Sequence, residues 1–109
     1  MENIELLVQD LRISEEGETL IIGLVTNRKE LELGTRFLTK HEIRPYVLGS
    51  EIRDMTPINV ATVDLVVTKI ITFQKEVDFV PIGWSAGLSL SGTGLEHVKK
   101  GCYLLTGKL

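Results

Sequence analysis

Gly83-Trp84-Ser85-Ala86-Gly87 fits G-x-S-x-G, the pattern that puts a nucleophilic serine on a sharp turn between a strand and a helix. The chemistry it would serve is acyl transfer, which also needs a histidine and an acid further along the chain. The only such residues that follow are the neighbours Glu96 and His97, and adjacent residues are poorly placed to act as orienter and base. After Ser85 the chain alternates Leu88-Ser89-Leu90-Ser91, a strand period rather than the helix an elbow requires. The reading preferred for GWSAG is a tight turn between strands, with Gly83 and Gly87 tolerating the bend and Ser85 bonding nearby backbone. No catalytic residue is assigned and no enzymatic activity is expected.

Other reactive side chains give less. His41-Glu42 begins H-E-x-x-H, but Pro45 stands where the second histidine belongs, so zinc-protease spacing fails and His41 reads as a loop side chain. Asp64 and Asp78 lie far apart and read as surface carboxylates. Cys102, the single cysteine, excludes an internal disulfide and reads as a small core residue ahead of an apolar strand. No metal or cofactor is expected.

These residues must be positioned by strands. Leu6 to Ile13 and Thr19 to Thr26 are apolar, β-rich runs joined by the polar loop Ser14-Glu15-Glu16-Gly17-Glu18, which suits a hairpin. From Thr62 to Gln74 the odd positions Val63, Leu65, Val67, Ile71 and Phe73 are apolar, a period of two that predicts a long strand with one buried face. LSLSG, Leu88 to Gly92, repeats that pattern. Glycines at 34, 49, 83, 92, 94 and 101 punctuate the chain, and no segment sustains a helical stripe. The predicted fold is all-β: a small closed antiparallel β-barrel forming one domain over 1–109, with an irregular insert at about 41–61.

A net charge of −3 and a sequence pI near 5.4 give no general attraction to phosphate backbones. The start MENIELLVQD lacks signal-peptide character, and no apolar run reaches the roughly 20 residues of a spanning helix. A cytoplasmic protein without a membrane segment is expected.

Phe73 to Leu105 resembles the second half of the domain 2 β-barrel of translational GTPases, of the elongation factor Tu type. The resemblance is carried by Phe73 and Lys75, then Ala86-Gly87-Leu88-Ser89-Leu90-Ser91-Gly92, then Glu96, Val98, Lys100-Gly101 and Tyr103-Leu104-Leu105. The first half matches through Gly17, Ile22-Gly23-Leu24-Val25 and Leu31-Glu32-Leu33-Gly34, and the segment from about 41 to 61 is longer than the family's connection. The resemblance implies a barrel with a binding role. The family's acidic residue that helps hold the transfer RNA 3′ end aligns at or near Phe79, so that contact is not implied, and no G-x-x-x-x-G-K-[ST] supplies a GTPase.

Two features exceed what a self-contained barrel needs. Leu20, Ile22 and Leu24 share one strand face while Ile21 and Val25 share the other, so the outer face wants a cover: the insert, a second subunit or another protein. Phe79 and Trp84 flank an apolar turn through Val80, Pro81 and Ile82, and exposed aromatics of that kind anchor interfaces unless Trp84 folds back to cap the barrel. The leading reading is a protein-binding module, an adaptor or specific inhibitor of the immunity-protein type, docking through Phe79, Trp84, Arg44, Tyr46 and Arg53. The alternative is an RNA- or ribosome-associated protein, with Lys75, His97, Lys99 and Lys100 meeting phosphates.

Overall fold

The computed structural model describes residues 4–13, 15–26, 30–43 and 57–107. Alternation becomes strand wherever one set of side chains can be buried. The strands are β1 (Glu5–Ile13), β2 (Thr19–Val25), β3 (Leu31–Glu32), β4 (Arg36–Ile43), β5 (Pro57–Thr72), β6 (Lys75–Val77), β7 (Phe79–Val80), β8 (Ser85–Thr93) and β9 (Tyr103–Leu105). The described residues contain no α-helix, only a 3₁₀ turn at Leu95–His97. Six strands pair in the order β4-β9-β1-β2-β8-β5, and β4 also pairs with β5. That last pairing closes the ring, and every ladder in it is antiparallel. Closure removes the free edges an open sheet would expose.

The interior is filled by side chains, as a barrel this narrow requires. Leu6, Val8, Ile21, Val25, Phe37, Leu65, Val67, Ile70, Leu88 and Leu104 are fully buried. A small two-stranded ribbon, β3 with β7, adds the paired Leu31 and Val80 to the same core. Burying a side chain of this size contributes on the order of 2 kcal/mol, so the interlocked interior is the main source of stability.

Three irregularities re-aim side chains. In β1 the register against β2 shifts between Val8 and Asp10, which leaves Gln9 as the bulged residue. In β5 the register against β8 shifts between Val67 and Lys69. The odd-numbered alternation therefore holds for Val63, Leu65 and Val67 and then moves to Ile70, so Ile71 is only half buried and Phe73 is exposed. The third lies in β4, shifted twice against β5. Within the expected insert of about 41–61, His41 to Ile43 complete β4 and Pro57 to Ala61 begin β5, and residues 44–56 lie outside the described residues.

β1, β4 and β8 run one way and β2, β5 and β9 the other. One end of the barrel therefore gathers Trp84 before β8, Phe73 after β5 and Thr26 after β2. The opposite end gathers the Leu95–His97 turn, Lys99 and Lys100 with the start of β9. Gly92 holds φ 137 where β8 passes β5, and a Cβ there would lie 1.9 Å from the Asp64 carbonyl oxygen. Only glycine fits that crossing.

Candidate functional site

Trp84 and Phe73 meet at the first end. The turn from Pro81 to Trp84 closes with the Trp84 amide donating to the Pro81 carbonyl at 3.3 Å, with Gly83 at φ 81, and the Gly83 amide donates to Val25. The tip joining β5 to β6 is a two-residue hairpin in which Phe73 and Gln74 hold φ 49 and φ 66. Both signs match a turn that normally takes Asn-Gly, since a side chain at positive φ is strained. The Phe73 ring stands 81% exposed and meets the 46% exposed Trp84 edge-on, with centroids 5.4 Å apart and planes at 88°. Trp84 is not part of the buried core, so it does not cap the barrel from within. Ile82, two residues before it, is exposed.

Phe79 and Trp84 flank the turn as expected from the sequence, and the ring that Trp84 meets is Phe73. Phe79 sits in β7 opposite Glu32, 48% exposed, in an open concavity of about 320 Å³ lined with Glu30, Glu32, Leu33 and Asp78. Arg44, Tyr46 and Arg53 lie outside the described residues. The basic group does not come together: Lys75 follows the hairpin tip at the first end, while His97, Lys99 and Lys100 are exposed at the second. His97 Nε2 lies 3.8 Å from its neighbour Glu96 Oε1.

GWSAG is a turn followed by a strand, with two differences from expectation. Gly87 lies inside β8, opposite Ile22 and Ile71, rather than in the bend. The Ser85 hydroxyl bonds a side chain rather than backbone: it donates to Oε1 of Gln9, the bulged residue of β1, at 2.7 Å. An amide cannot take the hydroxyl proton as imidazole does. His41 is a buried residue of β4, 4% exposed, rather than a loop side chain. Its ring stacks on Tyr103, with centroids 5.4 Å apart at 14°, and neither ring nitrogen has a hydrogen-bond partner.

Several other titratable groups are occupied structurally. Arg36 Nε donates to Asp64 Oδ1 at 2.6 Å, and the guanidinium's second bond to the same carboxylate makes the pair bidentate. That hydrogen bonding holds the Asp64 carboxyl below its usual range and raises Arg36. Lys40, 4% exposed, donates to Glu42 Oε2 at 2.9 Å and to the Asn59 carbonyl at 3.1 Å. The bond from Lys40 lowers the Glu42 carboxyl. Burial pushes the Cys102 thiol up, in keeping with a core cysteine rather than a nucleophile. Among the described residues no group of three or more His, Cys, Asp and Glu could hold a metal, and no helix is long and apolar enough to cross a membrane.

The outer face of β2, Leu20, Ile22 and Leu24, is half buried, and cover by residues 44–56 lies outside the described part. Phe-Gln carries no turn signal, so the sequence does not mark Phe73 as a hairpin tip. Asp78 reads as a lone carboxylate in sequence because Glu30 and Glu32 come from a distant part of the chain. An aromatic two residues before Lys75 in the resemblance is the one available clue.

The class these features define is a closed six-stranded antiparallel barrel with an aromatic pair on one rim. The chain is similar to the translation elongation factor SelB from Methanococcus maripaludis in its apo form, with a TM-score of 0.62 and 12% identity over 95% of this chain. It spans 19% of that protein's length, and at this identity the likeness establishes the fold alone. No protein-family model matches the chain, and no curated protein matches it in sequence.

Proposed function

We propose that the protein is a non-catalytic binding module that docks a protein partner through the rim carrying Phe73 and Trp84, as an adaptor or as an inhibitor acting by occlusion. The observation that carries the reading is the aromatic pair itself. A large apolar ring exposed at a hairpin tip sits in a backbone conformation that costs about 1 kcal/mol or more, which its edge-on contact with Trp84 at most offsets. Strain retained at an exposed aromatic belongs to recognition, where such rings supply much of the affinity. Ser85 bound to an amide supports docking over acyl transfer.

A translation-linked contact with RNA or the ribosome is the second reading, favoured by the likeness to a translation elongation factor. Against it stand the acidic net charge and the placement of Lys75 at the end opposite Lys99 and Lys100. The test is a tagged pull-down from native-host lysate, with and without ribonuclease, using wild type and Trp84→Ala. The docking reading expects one protein that survives ribonuclease and is lost with the variant. Recovery of ribosomal proteins that depends on RNA, equal for both proteins, would overturn it.

A further inference from the structure

The two rings of the rim are held very differently. Trp84 ends a turn whose left-handed residue is a glycine, Gly83, and the Trp84 and Gly83 amides donate to the Pro81 and Val25 carbonyls. Phe73 stands on a tip whose two left-handed residues, Phe73 and Gln74, both carry side chains. Residues 73–76 are all exposed, and β6, three residues long, reaches the core only through Val77. Trp84 is the anchored member of the pair and Phe73 the strained one.

The forces for and against the observed tip are close in size. Each left-handed side chain disfavours it by roughly fivefold or more against a glycine. The edge-on contact of Phe73 with Trp84 favours it by roughly fivefold, and the ladder from Ile70–Val77 to Thr72–Lys75 adds to that. The Lys69–Glu76 pair, 3.4 Å apart and open to solvent, contributes little. A balance this even leaves a second conformation within reach, at up to about 10% of molecules.

We infer that the β5–β6 tip is a latch with two conformations. In the closed one, which is the conformation described above, Phe73 lies against Trp84. In the open one residues 73 and 74 leave the left-handed region, Phe73 swings away, and the part of Trp84 that it covered is freed. The barrel stays closed in both, because the ladders of β5 to β4 and β8 end at or before Ile71 and do not pass through the tip. The latch goes beyond the docking reading and needs no partner; where docking also holds, the fraction of molecules in the binding conformation scales the apparent affinity.

The test is ¹⁹F NMR of the full chain, with 5-fluorotryptophan at Trp84 and no partner present. Phe73→Ala supplies the position of a Trp84 ring with nothing against it, and Gln74→Gly, which accepts positive φ, supplies the closed position. The wild-type resonance is expected between the two and nearer Gln74→Gly, or as two unequal peaks if exchange is slow. Gln74→Val, whose branched side chain resists positive φ, is expected to raise the ratio of open to closed about fivefold while the amides of β1 and β9 keep their shifts. A wild-type resonance that coincides with Gln74→Gly overturns the latch, as does one position shared by Gln74→Gly and Phe73→Ala. A Gln74→Val response in which β1 and β9 shift as well also overturns it, since the barrel and not the tip is then loosening. If Gln74→Val fails to fold, the wild-type position against the other two variants still decides. Loss of partner capture with an intact latch would sink the docking reading alone.

Discussion

Phe73 and Trp84 meet edge to face at the rim, from two segments that the hairpin and the Pro81–Trp84 turn bring together, and both rings remain open to solvent. An edge-on pair of this kind adds roughly 1 kcal/mol beyond the area it buries. Trp84→Ala is therefore expected to lower stability by only about 1 kcal/mol, and partner affinity by about 2 kcal/mol or more. Thermal unfolding beside a binding isotherm checks the two separately.

The hairpin tip predicts opposite signs for folding and binding. Replacing Phe73-Gln74 by Asn-Gly gives both positive-φ positions residues that accept them, and stability is expected to rise by about 1 kcal/mol. The same change removes the exposed ring, so partner capture is expected to fall. Gln74→Gly alone should gain stability and keep binding.

Gly92 and Gly87 should part company. A Cβ at Gly92 would sit 1.9 Å from the Asp64 carbonyl oxygen, with φ 137, so Gly92→Ala is expected to cost at least about 3 kcal/mol. At Gly87 the nearest atom, Ile22 Cδ1, is 3.7 Å away, an ordinary contact, and Gly87→Ala is expected to change stability by less than about 1 kcal/mol. Denaturant unfolding of the two variants measures both.

His41 predicts a gain on losing polarity. Both ring nitrogens are buried without partners while the ring stacks on Tyr103. His41→Phe keeps a ring in the stack and removes the unsatisfied atoms, so it is expected to raise stability by about 1 kcal/mol. His41→Ala loses the stack and is expected to destabilise.

Acid should act through Asp64 and Glu42. Both carboxyls are lowered in the folded state, from ordinary values of 3.8 and 4.5, by hydrogen bonds from Arg36 and Lys40 respectively. A lowered folded value means the contribution is complete above the unfolded values and is lost as pH falls through the folded ones. Stability from these pairs is thus level above about pH 5 and declines below it. Asp64→Asn/Glu42→Gln should flatten that decline in melting temperature against pH.

The barrel was legible because its strands obey a period of two: β1 and β2 follow directly from it, as do β5 from Thr62 and β8 from Leu88, while the starts of β5 and β8 do not. What escaped was set by non-local events. The shift between Val67 and Lys69 moves the inward position from Ile71 to Ile70, and nothing in the local sequence marks it. β4 hides its alternation by burying Lys40 and His41, whose burial depends on Glu42, Asn59 and Tyr103. Trp84 was legible as an exposed aromatic, but its partner was not. Phe73 reaches it only because a tip without glycine adopts the left-handed conformation.

The most direct measurement uses the fact that Trp84 is the only tryptophan. With 5-fluorotryptophan incorporated, one ¹⁹F resonance reports the rim alone, and it can be followed as ribonuclease-treated host protein extract or purified host RNA is added. Docking through Phe73 and Trp84 predicts that the resonance shifts or broadens with the protein extract, that RNA leaves it in place, and that Phe73→Ala abolishes the response. A resonance that answers to RNA alone, or to neither, contradicts the account.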